Sequence, residues 1–228
     1  NDLTVDTTTL TVDATNNRVG IGSTAPVHTL HIEGSNEADV FIKRADLTNK
    51  AWLLNVQSST GDLNIKSRND DGSASTTSMI IAHDGYVTKP LQPAFMVHPS
   101  STQSDLAISS NVTIVFGTER FDLGSDFASN TFTAPVTGKY QFNANIRYDD
   151  ADRDANYQQL VLYTSNKTYP ITYDLGPLGS DPNYWMFNIN ILADMDASDT
   201  AYLYFYQEAG SATVDIQGDS FFSGYLVC

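Results

Sequence analysis

The run FTAPVTGKYQFNANIRY, Phe132 to Tyr148, constrains the fold more than any other stretch of this chain. It opens with a turn, because Pro135 fixes φ and Gly138 permits φ > 0. After the turn Tyr140, Phe142, Ala144, Ile146 and Tyr148 fall on one side, and Lys139, Gln141, Asn143, Asn145 and Arg147 on the other. So long a period of two specifies a β-strand with one buried face. A helix would put Tyr140 and Phe142 on different sides. Further apolar faces are needed to cover this one, and the C-terminal half supplies them.

Tyr184 to Ala193 repeats the pattern, with Trp185, Phe187, Ile189, Ile191 and Ala193 alternating with Met186, Asn188 and Asn190. In Thr200 to Gln207, Ala201, Leu203 and Phe205 oppose Tyr202, Tyr204 and Tyr206, so both faces are covered, as if one met another subunit. Further strands are expected at 94–99, 112–116, 131–133, 157–164, 169–174 and 219–227. Twelve Tyr and eleven Phe, with no helix of normal length evident, favour an all-β sandwich or jelly roll.

Residues 1–34 read differently. LTVD occurs at Leu3 and again at Leu10, between Thr-rich linkers, and NRVGIGSTAP follows. Such short strands make no core alone, so identical chains side by side are their cheapest partners. Residues 35–90 continue with DVFIKR, AWLLNVQ, DLNIKSR and SMIIAHDGYVTKP, separated by the turn signals SSTGD and NDDGS. Pro90 and Pro93 bracket a boundary, since a central strand through both would lack two N–H donors. The expected organisation is a β-stalk segment at 1–34, a β-rich stalk or shoulder at 35–90 and a jelly roll at 91–228.

The formal net charge of −15, with 12 Lys and Arg, argues against nucleic acid and against an anionic bilayer. No apolar run approaches the roughly 20 residues of a membrane-spanning helix. A single cysteine, Cys228, precludes an intrachain disulfide. The start at Asn1, without a signal-peptide pattern, reads as a mature or truncated fragment of something longer on the N-terminal side.

PAF at Pro93, IVF at Ile114, FD at Phe121, FTAPVTGKYQF at Phe132, LVLY at Leu160, ASDTAYLYF at Ala197 and FFSGYLV at Phe221 together resemble the globular head of complement component one-q. The resemblance implies a ten-stranded jelly roll of the tumour-necrosis-factor type, trimeric, over Ala94 to Val227. NRVGIGSTAPVHTLHIEG and HDGYVTKPLQPAF are similar to stretches of bacteriophage tail fibres and related virion appendages. That likeness implies an intertwined trimeric β-stalk, hence a virion tail location and extracellular contact with a host cell.

Little in the sequence points to catalysis. His28 and His31 would face opposite sides of a strand, and GxSxG, HExxH and P-loop spacings are missing, so the chain reads as a non-enzyme. The densest carboxylate cluster is DDADRDAN, in which Asp149, Asp150, Asp152 and Asp154 offer hard oxygens that suit Ca²⁺. The cluster is not an EF-hand, since Ala155 and Val161 stand at the Gly and Glu positions. The competing reading is a solvated loop relieved by Arg153; apart from this Ca²⁺ no cofactor is expected.

Given the topology that the resemblance implies, strand parity places Asp149 to Asn156, Leu175 to Asn183 and Glu208 to Gln217 at the apex. Ser165 to Thr168, Asp194 to Asp199 and Cys228 then lie at the base. Loops on a rigid β-scaffold concentrate binding residues, and aromatics beside carboxylates suit a sugar. The expected receptor-binding residues are Asp149, Asp150, Asp152, Arg153, Asp154, Tyr173, Asp174, Asp181, Asn183, Tyr184 and Glu208. The leading reading is a trimeric tail-fibre or tail-tip adhesin. It would bind a host glycan or outer-membrane protein and join other virion proteins on its N-terminal side. The alternatives are a structural trimerisation head or capsid spike, and a polysaccharide depolymerase using a pair such as Asp149 and Asp174.

Overall fold

The computed structural model describes residues 9–228 and divides the chain into two compact units, Asn1–Leu91 and Gln92–Cys228. The described residues form strands and turns, with no helix.

In the N-terminal unit, β1 (Leu10–Asp13), β2 (Arg18–Ile21) and β3 (Leu30–Ile32) make a three-stranded sheet. The first pair is antiparallel and the second parallel. The first LTVD, Leu3 to Asp6, lies outside the described residues. Next come β4 (Ala38–Lys43), β5 (Ala51–Val56), β6 (Leu63–Arg68), β7 (Ser75–Ile81) and β8 (Val87–Thr88), paired in chain order as an antiparallel meander.

The C-terminal unit is a two-sheet jelly roll. Its strands are β9 (Ala94–His98), β10 (Val112–Thr113), β11 (Thr118–Leu123), β12 (Phe127–Ala128), β13 (Thr131–Thr133) and β14 (Gly138–Asp149). They continue with β15 (Tyr157–Thr164), β16 (Thr168–Tyr173), β17 (Tyr184–Met195), β18 (Thr200–Glu208), β19 (Asp215–Ile216) and β20 (Phe221–Leu226). One sheet runs β11-β9-β20-β14-β17 and the other β12-β13-β18-β15-β16. The two-residue β19 and β10 add to β14 and β18. These two five-stranded paths supply the expected ten-strand frame.

β14 is an inner strand of its sheet, paired with β17 from Gly138 to Asp149 on one side and with β20 on the other. Its inward side chains, Tyr140, Phe142, Ile146 and Tyr148, have no solvent exposure. Across the core, Leu160, Leu162, Leu203 and Phe205 of β15 and β18 are equally buried. Phe95 stacks on Phe127 and on Phe132 with both centroids at 5.0 Å, and Phe142 packs against Phe132 at 5.7 Å and Phe222 at 5.9 Å. Gly224 lies beneath this cluster: a Cβ there would sit 2.7 Å from both Phe142 and Phe95, so the rings occupy the space of a side chain.

Three strands were not anticipated. β11 is an edge strand whose pairing with β9 shifts between Glu119 and Phe121, and its side chains are mostly exposed, so it carries no clean alternation. β12 and β19 are two residues each, too short to show a period.

Candidate functional site

The three loops expected at one end of the head are gathered there by specific bonds. Asp150 N donates to Asn183 O at 3.1 Å and Ala151 N to Pro182 O at 3.2 Å, joining the first loop to the second. Arg153 N adds a bond to Asp181 Oδ1 at 3.0 Å. Asn156 N donates to Glu208 O at 2.8 Å, joining the first loop to the third. At the other end, Lys139 N donates to Cys228 O, Ser165 N to Thr200 O and Ser198 N to Ala134 O. Leu226 N bonds Pro93 O, so the chain enters the head at the end opposite the three loops.

The latch of the loop cluster is Asp152, which is 2% exposed. Its Oδ2 accepts from Ser211 N at 2.7 Å and Ala212 N at 2.9 Å, and its Oδ1 accepts from Asp154 N at 2.8 Å. Burial, the largest single influence, pushes this carboxyl up. The N–H groups of Ala212, Ser211, Asp154 and Ala155 together outweigh it and hold the carboxyl below its ordinary value. A buried polar chain then ties the latch to the core. Tyr148 Oη donates to Gln158 Oε1 at 2.7 Å, Gln158 Nε2 to Gln207 Oε1 at 2.8 Å, and Gln207 Nε2 to Ala212 O at 2.8 Å. Burial raises the Tyr148 phenol far above the ordinary tyrosine range, so it stays a neutral donor.

The other expected residues separate into those turned inward and those offered to solvent. Tyr173 stacks on Phe187 at 4.6 Å and belongs to the packing of the core. Asp149 pairs with Arg147 at 3.0 Å, and the Arg147 guanidinium also reaches Asp219 at 3.0 Å and lies 5.6 Å over the Tyr184 ring. Asp174 accepts from Gly176 N at 2.9 Å, closing a turn. Glu208 accepts from Tyr206 Oη, and that bond pushes the phenol up to about 12. Asp150, Asp154, Asp181 and Asn183 are exposed. Among the described residues no three of His, Cys, Asp and Glu are grouped as metal ligands would be. The clustered aspartates of 149–154 diverge, Asp152 to backbone donors and Asp149 to Arg147.

Between the loops is an open depression of ≈ 450 Å³, lined by Asp150, Asp181, Pro182, Asn183, Ser211 and Thr213 among others. It offers two carboxylates, an amide and two hydroxyls, together with the apolar side chains of Pro182 and Ala212. Such a set can hydrogen-bond a polyhydroxylated ligand. Ser211 and Thr213 were not singled out in the sequence, because a small hydroxyl residue in a loop carries no signal until its neighbours are known. Asp150, which lines the depression, sits at φ 58, in the left-handed region that Asp tolerates better than most residues.

A protein-family model described as "C1q domain" matches residues 94–227. Among solved structures, the globular domain of zebrafish complement 1qA protein is similar at 17% identity, covering 60% of this chain and 98% of that one, with a TM-score of 0.45. Murine APRIL, at pH 8.0, is similar at 10% identity, covering 60% of this chain and 99% of its own, with a TM-score of 0.44. No curated protein sequence matches the chain.

Proposed function

The chain belongs to the C1q-domain family, and on that premise we propose that it is a non-enzymatic binding head, trimeric, that recognises a host cell-surface glycan or protein through its apical depression. The observation that carries this reading is the convergence of three loops on one depression at the end away from chain entry. Domains of this family commonly form trimeric heads. The outer face of β14 and β17 suits that assembly: Asn143, Asn145, Asn188 and Asn190 are uncharged, and Met186 and Leu192 stand exposed beside them. Three copies would triple the contacts available to a receptor without requiring a tight single site.

The setting we propose is a virion: a tail fibre or tail tip, extracellular, joined through its N-terminal side to other virion proteins. It rests on NRVGIGSTAPVHTLHIEG and HDGYVTKPLQPAF, motifs similar to those of phage tail fibres. We assign no metal to the site.

The test is adsorption of the full chain to candidate host cells, and its competition with virions for those cells. Ser211→Arg fills the depression with a long side chain while leaving the backbone N–H of residue 211 on Asp152. It is expected to lower binding at least tenfold, with the oligomer unchanged in sedimentation. Undiminished binding by a folded Ser211→Arg chain would overturn the assignment of the depression.

A further inference from the structure

The meander β4–β8 has its chemistry the wrong way round for a sheet that meets water alone. Its charged side chains gather on one face, where several of them find polar partners. Asn55 Nδ2 donates to Asp39 Oδ1 at 2.6 Å, Lys66 Nζ to Asn55 Oδ1 at 2.8 Å, and Lys43 pairs with Asp70 at 3.4 Å. That face buries Ala51, Leu53, Asn55 and Asn64 to 2% exposure or less. The other face is apolar and open. Val40 lies opposite Leu54, Ile42 opposite Trp52, and Val56 opposite Leu63, so the six share one side of the sheet. Each is between 36% and 57% exposed. Together they show roughly 500 Å² of apolar surface to water, near the upper end of the largest patch on an ordinary monomer.

We infer that this face is an interface, and that its occupant is the same face on the other copies of this chain. The inference rests on the trimeric reading above and goes beyond it by assigning the surface. Three observations select a copy over a foreign partner. The face carries no charged side chain in β4, β5 or β6, so identical faces meet without the repulsion that a chain of net charge −15 otherwise brings. A sheet with one apolar face needs a second layer, and a copy provides one of matching size and twist. Finally, only Lys89 to Pro93 separate β8 from β9, so each meander is tethered to its head by five residues, roughly 17 Å at full extension. Heads joined as a trimer hold their three meanders at millimolar effective concentration, which makes even a weak mutual contact saturated.

The test uses the full chain with Cys228→Ser, into which Leu54→Cys or Lys66→Cys is introduced. The two positions sit on opposite faces of the meander. Under mild oxidation Leu54→Cys is expected to give a covalent dimer in most of the protein, and Lys66→Cys to give little. A chain that sediments as a trimer yet shows no Leu54→Cys cross-link overturns this inference and leaves the trimeric head standing. Equal cross-linking from both faces overturns it too, and a monomer in sedimentation overturns both. Should either cysteine variant fail to fold, acrylamide quenching of Trp52 in a Trp185→Phe chain decides instead. Protection severalfold beyond a free indole supports the interface, and quenching as expected of a side chain 47% exposed refutes it.

Discussion

The two units of this chain handle apolar side chains in opposite ways. In Gln92–Cys228 the aromatics of β9, β13, β14, β17, β18 and β20 close over one another within a single copy. In Asn1–Leu91 the buried aliphatic and aromatic side chains among the described residues are Ala51 and Leu53, while Val12, Leu30, Ile42, Trp52 and Val87 are all more than 40% exposed. The strands of both units alternate, so periodicity alone does not tell them apart. What differs is whether a second sheet of the same chain is there to receive the apolar face. The head is therefore expected to fold on its own, and the N-terminal unit to gain most of its burial from other copies.

The largest effect that would break this comparison is a cavity. Phe142→Ala in the head removes a ring with no exposure that packs on Phe95, Phe132 and Phe222. It is expected to cost about 3–5 kcal/mol and lower the midpoint of the head's thermal transition by roughly 10 °C or more. Trp52→Ala, an equally large truncation, is expected to move that transition by less than about 0.5 kcal/mol, since it empties no space inside the head. Similar shifts from the two variants in calorimetry would show that the units do not differ as described.

A smaller effect tests whether the head's single-copy packing extends to its polar groups. The buried polar residues of the N-terminal meander, Asn55 and Asn64, are neutral, whereas the head buries a carboxylate, Asp152. Asp152→Ala strands the Ser211 and Ala212 N–H groups and is expected to cost about 1.5–3 kcal/mol, with the apical loops exchanging amide hydrogens faster. The pH dependence follows from the same bonds. The folded carboxyl titrates below its unfolded value, so its contribution is whole above about pH 4 and is lost as the pH falls through the lower folded value. Hydrogen exchange of Ser211 and Ala212 at pH 6 and pH 3 checks this. Equal protection at both, corrected for intrinsic exchange, would mean the latch does not depend on charge.

How much of this was legible in the sequence depended on how local the signal is. The alternation through Tyr140 to Tyr148 stated which face of β14 would be buried, and the trade of Trp185, Phe187 and Ile189 against Met186, Asn188 and Asn190 did the same for β17. The order of the strands came from spaced motifs, not from period. Asp152 was legible only as one of four clustered aspartates. Its role depends on two N–H groups about sixty residues later, and nothing in DDADRDAN distinguishes the aspartate that turns inward from those that stay in water. Tyr173 reads as a receptor-binding aromatic because it flanks the Leu175 to Asn183 loop, yet its ring is held by Phe187 from the facing sheet. The depression is the least legible feature, since Asp150, Asn183 and Thr213 come from three loops and meet only in the folded head.

The smallest effect concerns charge, and it too divides the units. Asn1–Leu91 holds 11 acidic and 7 basic residues, a net of −4, while Gln92–Cys228 holds 16 and 5, a net of −11. The head therefore bears most of the self-repulsion, multiplied again if three copies assemble. Salt shortens the range of that repulsion from about 30 Å at 0.01 M to about 3 Å at 1 M, which touches contacts between distant surface charges far more than the buried latch at Asp152. Its ion pairs pull the other way: Arg147 with Asp149 and Asp219, and Lys139 with Asp194, are partly or fully solvent-facing and weaken in salt, but exposed pairs are worth only about 0–1 kcal/mol each. Repulsion among the carboxylates of a head with a net charge of −11 is expected to outweigh those few pairs. The head's thermal midpoint is accordingly expected to rise by a few degrees between 0.01 M and 1 M NaCl, and the transition of the N-terminal unit by less. Differential scanning calorimetry across that range resolves the two transitions. A head that loses stability as salt is added would mean that its ion pairs, not its excess of carboxylates, dominate its surface.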